Sequence, residues 1–165
     1  MERIIRIIFD QFLTRLLQLL GLMLIMAILI QIYSRFIMLR PFSWTEELAR
    51  FSFLWFCLLG SAYTLRKDMH LGIDYYYLKF NPSARKIIDI FVTGLILFFG
   101  VLLIVLGMRM VVLTMGARSP IMRLPMSYMY AVLPATGFLF TIFSAHKIIE
   151  LLKGSEMVRK RRKSP

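Results

Sequence analysis

Four uncharged stretches leave this chain little choice of fold. They run over Leu16–Ser34, Phe51–Leu65, Ile90–Met108 and Leu124–Ala145. A helix rises about 1.5 Å per residue and a bilayer hydrocarbon core is roughly 30 Å thick, so about 20 apolar residues cross it. Backbone groups in lipid must bond within their own segment, which makes each stretch a helix. The second stretch is the shortest, so its helix has to reach into the flanking Glu47, Arg50 and Arg66. The expected fold is therefore an all-α membrane protein with four transmembrane helices, over approximately 14–36, 46–66, 86–112 and 125–150. These form one membrane domain over 1–165, with a basic tail at 153–165.

The basic residues set an orientation. The amino end, the middle loop and the tail carry 15 of the 21 Lys and Arg residues, and the two remaining loops carry six. Basic residues are retained in the cytoplasm, so both termini are expected there. A net charge of +12 would suggest a nucleic-acid partner in a soluble protein. Here 59% of residues are hydrophobic and the cations flank spans, where anionic lipid headgroups supply the counter-charge. Membrane lipids are the expected partner, and nucleic acid is not. The first span is too long for a secretory signal, and no small-x-small cleavage site follows it, so it is read as a retained helix.

Local signals refine the ends. Ile4, Ile5, Ile8, Phe9 and Phe12 fall at helical spacing, which predicts an interfacial amphipathic segment leading into the first span. Arg40-Pro41 breaks the chain, and Ser43-Trp44-Thr45-Glu46 reads as a capping box that starts the second helix. Asn81-Pro82 is a start signal for the third. That helix carries Thr93, Gly100, Gly107 and Thr114 at seven-residue intervals, a seam of small residues that permits close helix approach. Gly60 offers a similar flat patch on the second helix, and Pro134 is expected to kink the fourth.

The chain offers little chemistry. Cys57 is the one cysteine, so disulfide exchange is excluded. His70 and His146 are too few and badly placed for haem ligation, and no His/Cys/Glu cluster has metal-ligand spacing. No metal and no cofactor is expected, and no catalytic residue. The span centres lack ionisable groups apart from Cys57, which argues against an autonomous ion pathway. Charges gather instead at the start of the second helix, in Glu46, Glu47 and Arg50. They read equally well as a local helix-end ion pair or as a partner contact.

Three segments, in order, resemble the small membrane subunit of tripartite ATP-independent periplasmic (TRAP) transporters. Trp44-Thr45-Glu46-Glu47-Leu48-Ala49-Arg50-Phe51 is similar to one family signature. Arg66, His70 and Asp74 match an Arg-x-x-x-His-x-x-x-Asp element. Ser119-Pro120 with Pro125, Tyr130 and Pro134 is similar to a third run. The resemblance implies a non-catalytic subunit of the bacterial inner membrane. It implies two partners, a large multi-helix membrane subunit and a periplasmic substrate-binding protein, in sodium-driven uptake of an organic acid such as a C4-dicarboxylate or a sialic acid. Trp44, Glu46, Glu47, Arg50, Arg66, His70, Asp74, Ser119, Pro120, Pro125 and Tyr130 then become candidates for partner contact. Two other readings compete: a small membrane oxidoreductase or lipid-modifying enzyme, and an autonomous small exporter.

Overall fold

A computed structural model describes the backbone of residues 2–66 and 82–162, and the side chains of 11–66, 87–149 and 151. Within them the chain forms α1 (Glu2–Phe36), α2 (Ser43–Arg66), α3 (Pro82–Leu113), α4 (Met126–Tyr130) and α5 (Val132–Arg162). Four stretches are long and apolar enough to cross a membrane: Gln11–Phe36, Ser43–Arg66, Ile87–Leu113 and Met126–Ile149. The first and third belong to helices of 35 and 32 residues, about 50 Å long, which outreach a bilayer core.

α4 and α5 are one helix with a fault. Ala131 N–H still donates to the Ser127 carbonyl at 2.9 Å, and Ala135 N–H to the Ala131 carbonyl at 3.3 Å. Pro134 has no N–H to give the turn before it, so the ladder opens at Ala131. The interruption falls about one turn ahead of the proline that causes it.

The helices pack as two antiparallel hairpins, α1 with α2 and α3 with α5, joined through α2 and α5. Among the described residues α1 and α3 make no substantial contact with each other, so the spans lie in the order α1, α2, α5, α3 with α1 and α3 at the edges. The interior is small and polar rather than oily. Its buried residues include Ser34, Thr45, Glu47, Ser52, Thr93, Ser119, Thr136 and Ser144, against Leu13, Ala27, Leu59, Ala62, Leu65 and Val132. Lipid gives no hydrophobic drive between helices, so close packing of small side chains must hold them.

α3 and α5 use backbone proximity for this. A Cβ on Gly107 would lie 2.7 Å from Pro134 Cδ, and one on Gly137 would lie 2.7 Å from the Gly100 carbonyl oxygen. At Gly100 the nearest atoms are Thr141 Oγ1 at 2.9 Å and Phe140 Cβ at 3.0 Å. Thr93, two turns from Gly100 on the same helix, is buried as well. α1 and α2 meet instead through Leu16, Leu17, Leu20, Leu54, Trp55 and Leu58 around Leu13 and Leu59. There a Cβ on Gly60 would find only Leu17 Cδ2, at 3.9 Å.

Candidate docking site at the loop end

Both short connections, 37–42 and 114–125, lie at one end of the molecule, opposite the termini. The first is a tight reversal. Leu39 adopts a left-handed backbone with φ 52°, and Arg40 N–H reaches back to the Ser34 carbonyl at 3.2 Å. The bond reaches back six residues across the left-handed Leu39, a position that more often falls to glycine at a helix end. Ser34, fully buried, donates its hydroxyl to the Gln31 carbonyl at 3.0 Å and accepts Phe42 N–H at 3.4 Å, which joins α1 to the entry of α2. Thr45 Oγ1 donates to the Phe42 carbonyl at 2.6 Å.

The entry differs from a capping box. Ser43 is already the first helical residue, and Glu46 turns to Arg50, with Nη2 to Oε1 at 2.9 Å. That pair is open to solvent, with side-chain exposures of 66% for Arg50 and 61% for Glu46. It is the favourable i,i+4 order for a helix and is worth little to stability on its own. Trp44 is exposed beside it and stacks on Phe42 with ring centroids 6.4 Å apart.

Glu47 behaves differently from its neighbour. It is 7% exposed and points into the second connection, where Met122 N–H donates to Oε2 at 2.8 Å. The Ser119 hydroxyl and the Ile121 backbone also bond to its carboxylate. Ser119 in turn accepts Leu124 N–H on its hydroxyl at 3.2 Å and donates its own N–H to the Leu124 carbonyl at 2.8 Å. Met126 N–H to the Ala117 carbonyl at 3.0 Å closes the base, and Arg118 pairs with Pro125 across it. Arg123 takes the left-handed conformation, φ 52°, that this small ring requires. One carboxylate thus satisfies donors of a loop about 75 residues away and ties the two hairpins together.

The sequence candidates separate into two groups. Trp44, Glu46, Glu47, Arg50, Ser119, Pro120, Pro125 and Tyr130 gather at the loop end, with Pro120 exposed and Pro125 and Tyr130 half-buried. Arg66 stands at the far end of α2, about 30 Å away along a helix of this length, with its guanidinium 5.4 Å from the Phe143 ring centre. His70 and Asp74 lie outside the described residues. The structure adds Ser34, Phe42, Thr45, Ile121, Met122 and Leu124 to the site. Most of these act through backbone groups, which no side-chain pattern reports. Cys57 is exposed on α2, and among the described residues no three His, Cys, Asp or Glu side chains are grouped to hold a metal.

These features define a protein with four membrane-spanning helices whose built polar structure sits at one end of the spans. The chain matches the family model of the tripartite ATP-independent periplasmic transporters, DctQ component, over residues 24–154, and it belongs to that family. It is 28% identical over 130 residues to the sialic acid TRAP transporter small permease protein SiaQ of Vibrio cholerae, covering 74% of this chain and 71% of the relative. It is 29% identical over 93 residues to the C4-dicarboxylate TRAP transporter small permease protein DctQ of Rhodobacter capsulatus, covering 55% and 41%. A 79-residue stretch is 34% identical to the sialic acid TRAP transporter permease protein SiaT of Haemophilus influenzae, covering 48% of this chain and 13% of that much longer one. The enzyme and exporter readings find no support in these relatives.

Proposed function

We propose that this chain is the small subunit of a bacterial inner-membrane uptake system for an organic acid of the sialic acid or C4-dicarboxylate class. In this reading the loop end faces the periplasm, both termini are cytoplasmic, and a large permease subunit carries the sodium and substrate sites. The 15-to-six distribution of basic residues supports the orientation. The match to a short part of the long SiaT chain supports a large partner, because there a segment like this one is covalently part of a bigger permease.

The observation that carries the docking role is the division of labour between adjacent glutamates. Glu47 is spent inside, holding loop 117–125 against α2, while Trp44, Glu46 and Arg50 stay outside on the resulting surface. A loop pinned in this way costs a partner little ordering entropy on contact. Arg118 and Arg123 extend the surface, giving a soluble binding protein both signs of charge to meet.

Charge reversal tests it. Arg50→Glu and Glu46→Lys should lower binding-protein-dependent uptake while the subunit still assembles with its large partner. Unchanged uptake in both variants would reduce the exposed pair to a helix-end contact. A reporter fused after Pro165 should fluoresce in the cytoplasm, and alkaline phosphatase fused near Gly116 should be active; the reverse pattern contradicts the orientation.

A further inference from the structure

The uncharged runs of the four spans do not lie level with one another. Contacts fix the register of each neighbouring pair. Gly21 lies against Phe56 and Gly60 against Leu17 between α1 and α2, and Arg66 lies over Phe143 between α2 and α5. Gly100 lies against Thr141 and Gly107 against Pro134 between α3 and α5. Carried across the row at about 1.5 Å per residue, these pairs set Leu29 of α1 level with Met115 beyond α3, and Phe12 level with Phe98. The run Leu16–Ser34 of α1 therefore sits roughly 20 Å nearer the loop end than Ile90–Met108 of α3, with the runs of α2 and α5 between them. Helices perpendicular to the bilayer cannot suit both edges. With the midplane at Leu58, the middle of the run on α2, the exposed Arg15 and Arg109 would each stand within roughly 6 Å of that midplane, where a cation is costly. The apolar Phe36 (73% exposed) and Ile87 (69% exposed) would stand about 12 Å beyond the hydrocarbon, in water, at opposite ends.

We infer that the bundle leans in the phospholipid bilayer by about 35°, tipped along its own row, so that lipid covers an oblique belt running from the loop end of α1 to the opposite end of α3. Helix axes about 8–10 Å apart make the row about 27 Å wide between its edges, and a slope of roughly 20 Å across that width corresponds to this lean. Helix length agrees independently. The apolar stretches Gln11–Phe36 and Ile87–Leu113, of 26 and 27 residues, are about 40 Å long against a core of about 30 Å, and tilting fits such a length to the bilayer. The lean carries Arg15 and Arg109 toward opposite headgroup layers, within reach of their own side chains. It also brings Phe36–Leu39, flanked by Arg35 and Arg40, down to the hydrocarbon boundary. Resting on the orientation proposed above, it distinguishes the two connections for a soluble binding protein: 117–125 stands clear of the membrane, and 37–42 lies against lipid.

The test uses the full chain in phospholipid nanodiscs. Cys57→Ala removes the one native thiol, and Phe12→Cys, Leu29→Cys, Phe98→Cys and Met115→Cys each supply a site for a nitroxide label. All four positions are exposed, so a label there displaces no packed side chain. Collision with oxygen and with a water-soluble nickel chelate reads the depth of each label. The label at 29 should lie about 15 Å deeper than the label at 115, and the label at 98 about 15 Å deeper than the label at 12. A difference under about 10 Å in either pair, or one of opposite sign, would overturn the lean. Infrared dichroism of the unmodified chain in oriented bilayers reads the same quantity without substitution: a mean helix tilt near 35° is expected, and one below about 20° would overturn it. Neither measurement depends on which side is periplasmic, so failure here leaves the subunit role and the orientation to their own tests.

Discussion

The two hairpins solve the same problem by different means. α3 and α5 approach until backbone meets backbone: Gly137 faces the Gly100 carbonyl and the Ile104 nitrogen, the latter 2.9 Å from where a Cβ would sit, and Gly107 lies against Pro134. α1 and α2 meet through leucines and Trp55, and at Gly21, where a Cβ would come within 3.3 Å of α2, the atom it meets is on the Phe56 ring rather than on backbone. The first arrangement gains dispersion contacts along the whole seam but leaves no room for a methyl group. The second tolerates change, because flexible side chains can repack. The fold thus has one rigid half and one adaptable half. The adaptable half carries the exposed polar edge at Gln11, Arg15 and Gln18, and it presents Trp44, Glu46 and Arg50 at the loop end.

The contrast can be broken most forcefully at Gly137. Gly137→Leu should destabilise the protein by more than about 3 kcal/mol or prevent its accumulation, since the atoms in the way are backbone and cannot swing aside. Thermal unfolding in detergent, or the yield of monodisperse protein when none accumulates, reads the effect. A fully stable variant would mean that the seam is looser than its geometry. Gly107→Leu should act alike, against Pro134.

The joint between the hairpins is the next point to probe. Glu47→Ala strands the Met122 and Ile121 amides and the Ser119 hydroxyl together, so hydrogen exchange should lose protection over 119–124 while the seam at 100–107 keeps its own. Equal loss in both places would mean that Glu47 supports the whole bundle rather than the loop. Smaller still is the exposed pair. Arg50→Ala should change stability by no more than about 0.5 kcal/mol, measured by the same unfolding assay. The smallest effect belongs to Gly60→Ala, where only Leu17 is near and at ordinary contact distance; it should be neutral or stabilising by up to about 1 kcal/mol.

Sequence reasoning reached these parts unevenly, for physical reasons. Four spans were legible because hydrocarbon thickness fixes the length of an uncharged helix and charges mark its ends. The seven-residue spacing of Thr93, Gly100 and Gly107 is visible because small residues repeat on one helical face. Gly137 repeats nothing, so its place across the seam is a tertiary fact. Charges at Glu46, Glu47 and Arg50 drew notice, but their pairing was not readable. Either glutamate can reach Arg50 along a helix, and only the return of the chain at 119–124 decides that Glu47 turns inward and Glu46 takes the arginine. Loop 117–125 was hidden for the same reason, since it is held by backbone bonds and by two residues, Arg123 and its counterpart Leu39, in conformations their side chains do not announce.

The central claim is that this chain supports transport without performing it, and reconstitution tests that directly. Purified small subunit in proteoliposomes, given an inward sodium gradient and a labelled organic acid of the sialic acid or C4-dicarboxylate class, should accumulate nothing above empty vesicles. Addition of the large permease subunit and the substrate-loaded binding protein should restore uptake, and omission of the small subunit should abolish it. Accumulation by the small subunit alone, or undiminished uptake without it, would contradict the account.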